Sequence, residues 1–361
     1  PRGQGSYTWS PVTEQATSII GSTGKIILLD ANTDYSLQTS ASTVSSAAFT
    51  IQGDVTVTTP AVDWKVAETN PTGNIQWTAY GKLGQVKIEF YNGTAYTELT
   101  NASSRPTSNE GANTFLVSDW YDNVGGQVLG QIPDAKTLVA KLKVTQVSPP
   151  SGVTAATKES GTFKVYPLIT GVTVVPTAGD ESSNPVIWRA AQASQQVQWT
   201  DSTSTLTSVD VLVSLTGAGG LPGSNLVTSI ASNTNGANST SSITVPTAIT
   251  TQGIIRVRDS NSAFAPYVYA DSSVFNIFGK VSFIAPAAGN TWKVGTDQTM
   301  SWTAYGVMGN LNIYYKYAAT DDAGDYTLLA TVDGNTVSSY NWLTGGLPKI
   351  PDHASNTVKV K

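Results

Sequence analysis

Two stretches of this chain, Trp77-Thr78-Ala79-Tyr80-Gly81 and Trp302-Thr303-Ala304-Tyr305-Gly306, are identical. The likeness extends outward from them. Trp64-Lys65-Val66 precedes the first copy and Trp292-Lys293-Val294 the second. Each copy leads on to an Ile-Pro-Asp, at Ile132-Pro133-Asp134 and Ile350-Pro351-Asp352. Between these marks lie Val86-Lys87-Ile88-Glu89-Phe90 and Leu311-Asn312-Ile313-Tyr314-Tyr315, and Val209-Asp210-Val211-Leu212-Val213 has the same form. Alternate residues of a strand point to opposite faces, so each stretch buries one face and wets the other. Period-2 patterning broken by Gly, Pro, Asn, Asp and Ser is the mark of an all-β chain. Self-similarity over such a range marks an array of like domains.

A second marker falls between these units. It is Ser-x-x-Phe followed two positions on by Ile or Val, at Phe49/Ile51, Phe163/Val165 and Phe275/Ile277. A β-rich stretch follows each and ends at Pro60, Pro176 and Pro286. The phenylalanines are 114 and 112 residues apart, and an immunoglobulin-type sandwich takes about 100. The middle unit lacks the pentapeptide but keeps the frame, with Trp188-Arg189 for Trp-Lys and Trp199-Thr200 for Trp-Thr. Its Trp–Trp spacing is 11, against 13 and 10 in the others, as a variable loop between fixed strands would give.

The frame predicts tandem immunoglobulin-like β-sandwiches: the C-terminal half of a repeat over 1–52, whole repeats over 53–168 and 169–278 (the latter divergent), and 279–361 lacking its last strand. Ser6-Tyr7-Thr8-Trp9 resembles Ser339-Tyr340-Asn341-Trp342, late in the last unit. At the other end, Val358-Lys359-Val360-Lys361 aligns with Lys141-Leu142-Lys143-Val144. Half a sandwich leaves an apolar strand edge that invites pairing. Three accounts are open: a longer parent of which this is a processed piece, a strand donated by a neighbouring chain, with the Phe49 strand of one subunit completing the last domain of another, or an irregular cap over 1–52.

Composition bounds the function. Charged residues are 12% of the chain and net charge is −5, where globular domains carry roughly 25% charge. A hydroxyl-rich, weakly charged surface reads as an extracellular β-protein. No basic footprint for nucleic acid is present. No apolar run approaches the ~20 residues that span a bilayer. The absence of cysteine excludes disulfides, thiolate zinc sites and thiol chemistry, and points toward a prokaryotic source.

The order Pro, Gly-x-x-Trp-x-Val-Gly, Thr-x-x-Trp-Thr, Gly, alternating strand, Tyr-x-Trp, Ser-x-x-Phe-x-Ile resembles the Ser/Thr-rich GPI-anchored surface-domain family. Its immunoglobulin-like module occurs in fungal cell-wall proteins and as tandem repeats in large bacterial surface proteins. The last unit matches best, at Pro286, Gly289, Trp292, Val294, Gly295, Trp302, Gly306 and Trp342. The first whole unit departs at Ala67, where the family has Gly, and the middle unit has Arg189-Ala190 and no Tyr-x-Trp. The resemblance implies a bacterial surface-layer (S-layer) protein, of planctomycete type, or a giant adhesin.

Individual features carry little chemistry. Trp64, Trp77, Trp188, Trp199, Trp292 and Trp302 recur in register and read as core rather than as sugar-stacking platforms; Trp120 and Trp342 lie nearer loops and are the candidates for exposed rings. Asp30-Ala31-Asn32-Thr33-Asp34 has spacing that can chelate Ca²⁺ through oxygens, Asp321, Asp322 and Asp325 form a second oxygen-rich turn, and Asp119 with Asp122 a third; ordinary turn chemistry competes with all three. Asn92, Asn101 and Asn238 head glycosylation sequons, and Ser232 to Ser242 reads as a hydroxyl-bearing loop. The single histidine, His353, has no triad partners in view, and Gly217-Ala218-Gly219-Gly220 lacks the Lys-Ser/Thr of a phosphate loop.

The expected function is therefore structural: a non-catalytic segment of a cell-surface or S-layer protein that self-associates into a lattice or fibre. Short joins such as Gly53-Asp54 and Gly279-Lys280 would pack neighbours end to end. The alternative is an adhesin or carbohydrate-binding stalk of a large secreted protein, possessing exposed aromatics at one end of a sandwich. An ancillary segment of a secreted hydrolase is a third reading.

Overall fold

Strands with one apolar face must lay that face against another sheet, which dictates a two-layer sandwich. A computed structural model of the chain describes residues 6–8, 20–28, 44–69, 73–180, 183–201, 206–231, 236–293, 295–316, 326–342 and 358–361. Among them the regular elements are strands, with single 3-10 turns at Val117–Asp119 and Ala218–Gly220 and no α-helix. No helix of the described residues is long and apolar enough to cross a membrane. The fold is all-β, a series of immunoglobulin-like sandwiches. The described residues fall into two units, one within 1–168 and one from 169 onward.

In the first unit, one sheet runs in the order Thr107–Ser108, Gly84–Tyr91, Thr137–Gln146, Phe163–Tyr166, Trp64–Lys65. The facing sheet is Gly111–Phe115, Ile75–Tyr80, Asp54–Val57. The repeated pentapeptide can be read off residue by residue. Trp77 and Ala79 point into the core with Ile75, while Gln76 and Tyr80 point out. Gly81 then turns at φ 92°, as Gly306 does at φ 94°, a conformation that glycine adopts without strain. Val55, Trp64, Ile75, Ile88, Trp120 and Leu142 are fully buried between the sheets. Residues 20–28 and 44–51 contribute smaller ladders, with Gly21–Gly24 on Phe49–Ile51 and Ile27–Leu28 on Val44–Ser45.

The second unit repeats this plan. Ile169–Val174, Gln195–Asp201 and Gly236–Ile243 form one sheet, and Ile187–Arg189, Phe275–Phe278, Thr250–Asp259, Ser208–Ser214 and Ser224–Ala231 the other. Trp188, Trp199, Val211, Val257 and Ile277 fill the space between. The stretch expected to be a loop is in part a strand, since Gly236–Ile243 pairs antiparallel with Gln195–Asp201. The inward positions Asn238 and Thr240 are polar, so apolar alternation could not reveal it. Asn238 and Thr240 are buried there, and Asn238 donates from Nδ2 to Asp201 Oδ2 at 2.9 Å. Residues 232–235 lie outside the described residues.

Within the same unit, Lys280–Ala285, Thr299–Tyr305 and Ser339–Asn341 form a sheet that faces Thr327–Asp333, Asn310–Lys316 and Lys359–Val360. Met300, Trp302, Ile313, Leu329 and Trp342 make its core. The pairing corrects the expected alignment of 358–361 by one residue. Val360 lies opposite Tyr315 as Leu142 lies opposite Phe90, so Val360, not Lys359, stands where Leu142 does. A slip of one residue would have turned the lysine into the core.

Candidate functional site

The Ser-x-x-Phe-x-(Ile/Val) marker is the closing strand of each sandwich, and its serine is a bracket. Ser160 Oγ accepts the Leu142 N–H at 3.0 Å and donates to the Gly161 carbonyl at 2.7 Å. Ser272 does the same between the Ile255 N–H and the Ser273 carbonyl, at 3.0 and 2.8 Å. Ser46 does it a third time between the Ile26 N–H and the Ala47 carbonyl, at 3.0 and 2.7 Å. In each case the serine N–H also donates back, to Leu142, Ile255 and Ile26, at 2.8 Å. The ladder beyond the bracket carries the same irregularity three times. Ala140 and Thr137 oppose Phe163 and Val165, Gly253 and Thr250 oppose Phe275 and Ile277, and Gly24 and Gly21 oppose Phe49 and Ile51. Such bulges re-aim side chains, and here they send the phenylalanine inward.

Closing brings Phe against Trp. The strand Phe163–Tyr166 runs parallel to Trp64–Lys65, and Phe275–Phe278 runs parallel to Ile187–Arg189. Trp64 meets Phe163 at 4.7 Å and 66° between ring planes, and Trp188 meets Phe275 at 4.9 Å and 66°. Three residues past each tryptophan the backbone enters the left-handed region, at Ala67 (φ 65°), Ala191 (φ 58°) and Gly295 (φ 73°). The Ala67 N–H donates to the Ile132 carbonyl and the Ala191 N–H to the Val245 carbonyl, both at 3.2 Å. Val245-Pro246 is therefore the middle unit's version of Ile132-Pro133, a match that the sequence reading missed although the Val-Pro pair was there to find.

The domain that begins at Lys280 lacks this closure among the described residues. Trp292 is only half-buried, where Trp64 and Trp188 are fully buried, and 291–293 forms no strand. By pairing, Val281 opposite Ala304 and Phe283 opposite Trp302 correspond to Val55 opposite Ala79 and Val57 opposite Trp77. Val281 is 40% and Phe283 42% exposed, against 0% for Val55. The result is a groove of about 330 Å³ lined by Val281, Phe283, Trp302, Leu311, Ile313 and Val360. The described residues 20–28 and 44–51 have the opposite deficit. They hold the bracket, the bulge and the phenylalanine strand, yet Phe49 and Ile51 are only half-buried, and Ile26 and Leu28 are 44% and 70% exposed.

The other predicted positions place as follows. Asp30, Asn32, Asp34, Asp321, Asp322, Asp325 and His353 lie outside the described residues. Asp122 Oδ1 accepts the Val124 N–H at 2.8 Å, and Asp119 Oδ1 accepts from Ser118 at 3.2 Å, which is turn chemistry. No group of three His, Cys, Asp or Glu residues able to hold a metal occurs among the described residues. Asn92 and Asn101 each fold their Oδ1 onto the backbone N–H and hydroxyl two residues on, at Thr94 and Ser103, and both lie at the surface in turns. Asn238 departs from the sequon expectation, since its amide is buried against Asp201 and offers no nitrogen to a glycan in the folded chain. Trp120 and Trp342 are not exposed rings but core. Trp120 packs on Trp64 at 5.3 Å and Trp342 on Trp292 at 6.2 Å.

Charges on the outer sheet face pair both along a strand and across strands. Glu89 lies between Lys87 at 3.0 Å and Lys143 at 2.8 Å. Burial pushes its carboxyl up, but hydrogen bonds from and the charges of the two lysines outweigh that and hold it below the usual range. Lys143 also stands over the Tyr96 ring at 3.8 Å. The Tyr96 hydroxyl donates to Glu159; burial first, and Glu159 second, push it up to about 12. Arg256 repeats the theme, forked onto Asp271 at 2.7 and 2.8 Å and stacked on Tyr269 at 3.9 Å. These groups are locked in pairs, which fits them for holding strands together rather than for proton transfer.

No family model matches the chain, and no curated protein matches it. Among solved structures it is similar to the FN1–FN3 domains of chicken CNTN1. That match is 11% identical and covers 85% of this chain and 91% of that one, with a TM-score of 0.21. It is also similar to the fibronectin(III)-like modules of Clostridium thermocellum CbhA, at 18% identity over 62% and 93%, with a TM-score of 0.17. Superpositions this loose bear on neither function nor domain arrangement. By its own sheets and registers, the chain is a tandem set of immunoglobulin-like sandwiches.

Proposed function

We propose that this chain is a structural segment of a cell-surface protein of the S-layer kind, whose tandem sandwiches form a stalk or lattice without catalysis. The tightness of the joins inside each unit carries the reading. Gly53 and Gly279 each stand one residue before a sandwich's first strand. A Cβ on Gly53 would run into Leu83 and Ile20, and one on Gly279 into Met308. A Cβ on Gly306 would meet the Ala190 Cβ at 3.0 Å and the Thr247 carbonyl at 3.2 Å. Ser22 donates to the Ser151 carbonyl at 2.9 Å, and Lys280 Nζ to Gln192 Oε1 at 3.3 Å. Joins without slack transmit load from one sandwich to the next. An extracellular setting, glycans on Asn92 and Asn101, and Ca²⁺ at the Asp30 and Asp321 loops belong to the same reading.

The alternative, a carbohydrate-binding stalk, needs aromatic rings presented together at the surface, and the recurrent tryptophans of both complete sandwiches are buried. Single-molecule pulling tests the structural reading. Discrete unfolding events are expected, each releasing about 100 residues as whole sandwiches give way. Smooth extension at low force, or saturable binding on a glycan array, would overturn it.

A further inference from the structure

We propose that the open groove of the last domain takes the closing leaf of a second copy of this chain. The leaf formed by residues 20–28 and 44–51 of one molecule would complete the sandwich built on Lys280–Ala285, Thr299–Tyr305 and Asn310–Lys316 of the next. The occupant is named by the molecule itself. In both complete sandwiches, the strand corresponding to Lys280–Ala285 is covered by the long strand and the short strand that leads into the bracketed Phe-x-(Val/Ile) strand, and 20–28 with 44–51 holds the third such set.

The fit is one of register. Gly21–Gly24 stands to Phe49–Ile51 as Thr137–Ala140 stands to Phe163–Val165. Ile27 and Leu28 stand to Ser45 and Val44 as Lys143 and Val144 stand to Glu159 and Lys158. The leaf is thus already folded as the back of a sandwich, so docking requires little reordering of it. Ile26 and Leu28, exposed in the leaf, correspond to Leu142 and Val144, which are fully buried. In the complete sandwich, Thr137–Gln146 and Thr157–Glu159 pack over Asp54–Val57; the leaf's counterparts would cover Val281 and Phe283 in the same way.

Two further features agree. Trp64 pairs with Val165 in parallel, so Ile51 would pair with Trp292 and draw 291–293 into a strand. That would bury Trp292 as Trp64 and Trp188 are buried. The leaf's Lys25 and Ile26 correspond to Lys359 and Val360, which with Lys361 hold three rungs on Asn310–Lys316. Those three rungs must yield to the leaf's own longer ladder. Strand addition of this kind draws affinity from main-chain hydrogen bonds and specificity from alternate side-chain pockets. Donor and acceptor are different surfaces, so the contact is heterologous and propagates head to tail.

The proposal deepens the structural reading and rests on it for its consequence, a fibre. Pulling tests that reading and sedimentation tests this one, so the two fail separately. In a concentration series by sedimentation velocity, the whole chain should form a ladder of oligomers. A donor-blocked variant (Phe49→Asp with Ile51→Asp) and an acceptor-blocked variant (Val281→Asp with Phe283→Asp) should each stay monomeric. Their mixture should give heterodimers and nothing larger, because one good junction remains. Heterodimer formation should blue-shift the tryptophan emission, and Trp292→Phe in the acceptor-blocked partner's intact counterpart, the donor-blocked chain, should remove the shift.

The chain's lack of cysteine permits a register test that does not depend on the blocked variants folding. Tyr166 pairs with Lys65, so Gln52→Cys with Lys293→Cys should cross-link under oxidation into an intermolecular ladder. Moving the first cysteine to Thr50→Cys should weaken cross-linking about tenfold or more, since Cα atoms beyond about 7 Å cannot be bridged. A wild-type chain that stays monomeric throughout overturns the proposal, as does assembly that survives either block or a mixture that gives no heterodimer.

Discussion

The rings of Trp188 and Phe275 meet edge to face at 4.9 Å and 66°, and those of Trp64 and Phe163 repeat the contact at 4.7 Å and the same angle. These pairs join the second and last strands of their sandwiches, which run parallel, so they close the core. Both phenylalanines are buried. Phe163→Ala should therefore cost about 3–5 kcal/mol, the loss for deleting a buried aromatic side chain, read as a lowered midpoint in urea. Phe49→Ala, at a half-buried ring of the same motif, should cost well under half as much in the isolated chain. Equal losses would show that the leaf is already closed on something.

How much of this was legible from residues alone depends on what each residue faces. The core strand Ile75–Tyr80 was readable because Trp77 and Ala79 alternate with Gln76, Thr78 and Tyr80, and burial enforces that period. The strand Gly236–Ile243 was not, because its inward Asn238, satisfied by a hydrogen bond to Asp201, and its inward Thr240 imitate a polar loop. Trp120 was misplaced for a related reason. It follows the 3-10 turn Val117–Asp119, so local sequence suggests a surface loop, whereas the ring reaches Trp64 across the core. Ser160 was recognised as part of a motif, but its role depends on Leu142, a partner eighteen residues away in sequence whose pairing only the folded sheet defines.

That serine makes the second prediction. Ser160→Ala removes an acceptor for the Leu142 N–H and a donor to the Gly161 carbonyl in one step. Each such bond contributes about 0.5–1.5 kcal/mol net, so a loss of about 1–2 kcal/mol is expected in chemical denaturation. Ser160→Thr keeps the hydroxyl and should recover most of it. Amide exchange at Leu142 gives an independent reading, since its N–H should lose protection in the alanine variant and keep it in the threonine variant.

The charged face predicts a pH dependence. Glu89 ordinarily titrates at 4.5, and in the folded chain Lys143 and Lys87 hold it lower despite burial. A group whose folded value is depressed contributes stability that is fully present above its unfolded value. That stability is lost as pH falls through the folded value. The first unit should therefore weaken from about pH 4.5 downward, and Asp63, held below its ordinary 3.8 by Lys164 against its own burial, should extend the loss to lower pH. Glu89→Gln should flatten the upper part of this acid limb and lower stability at neutral pH by about 1.5–3 kcal/mol, the range for hydrogen bonds to a charged group. An unchanged acid limb in that variant would show that the lysines do not bind Glu89 in solution.

The turn after each tryptophan offers a test of backbone conformation with the packing held apart. Ala67, Ala191 and Gly295 occupy one structural position at φ 65°, 58° and 73°. A left-handed residue bearing a Cβ costs about 1–2 kcal/mol, while glycine's greater freedom in the unfolded chain returns about 0.5–1 kcal/mol of that. Ala67→Gly should then stabilise the first unit by about 0.5–1 kcal/mol, visible as a raised midpoint with unchanged denaturant dependence. The reverse change is the control. A Cβ on Gly295 would meet nothing within 4 Å, so Gly295→Ala can destabilise only through the dihedral angle. If the two changes move stability in opposite directions by similar amounts, the cost lies in φ. If Gly295→Ala is neutral, the turn relaxes, and the φ of this position carries no cost.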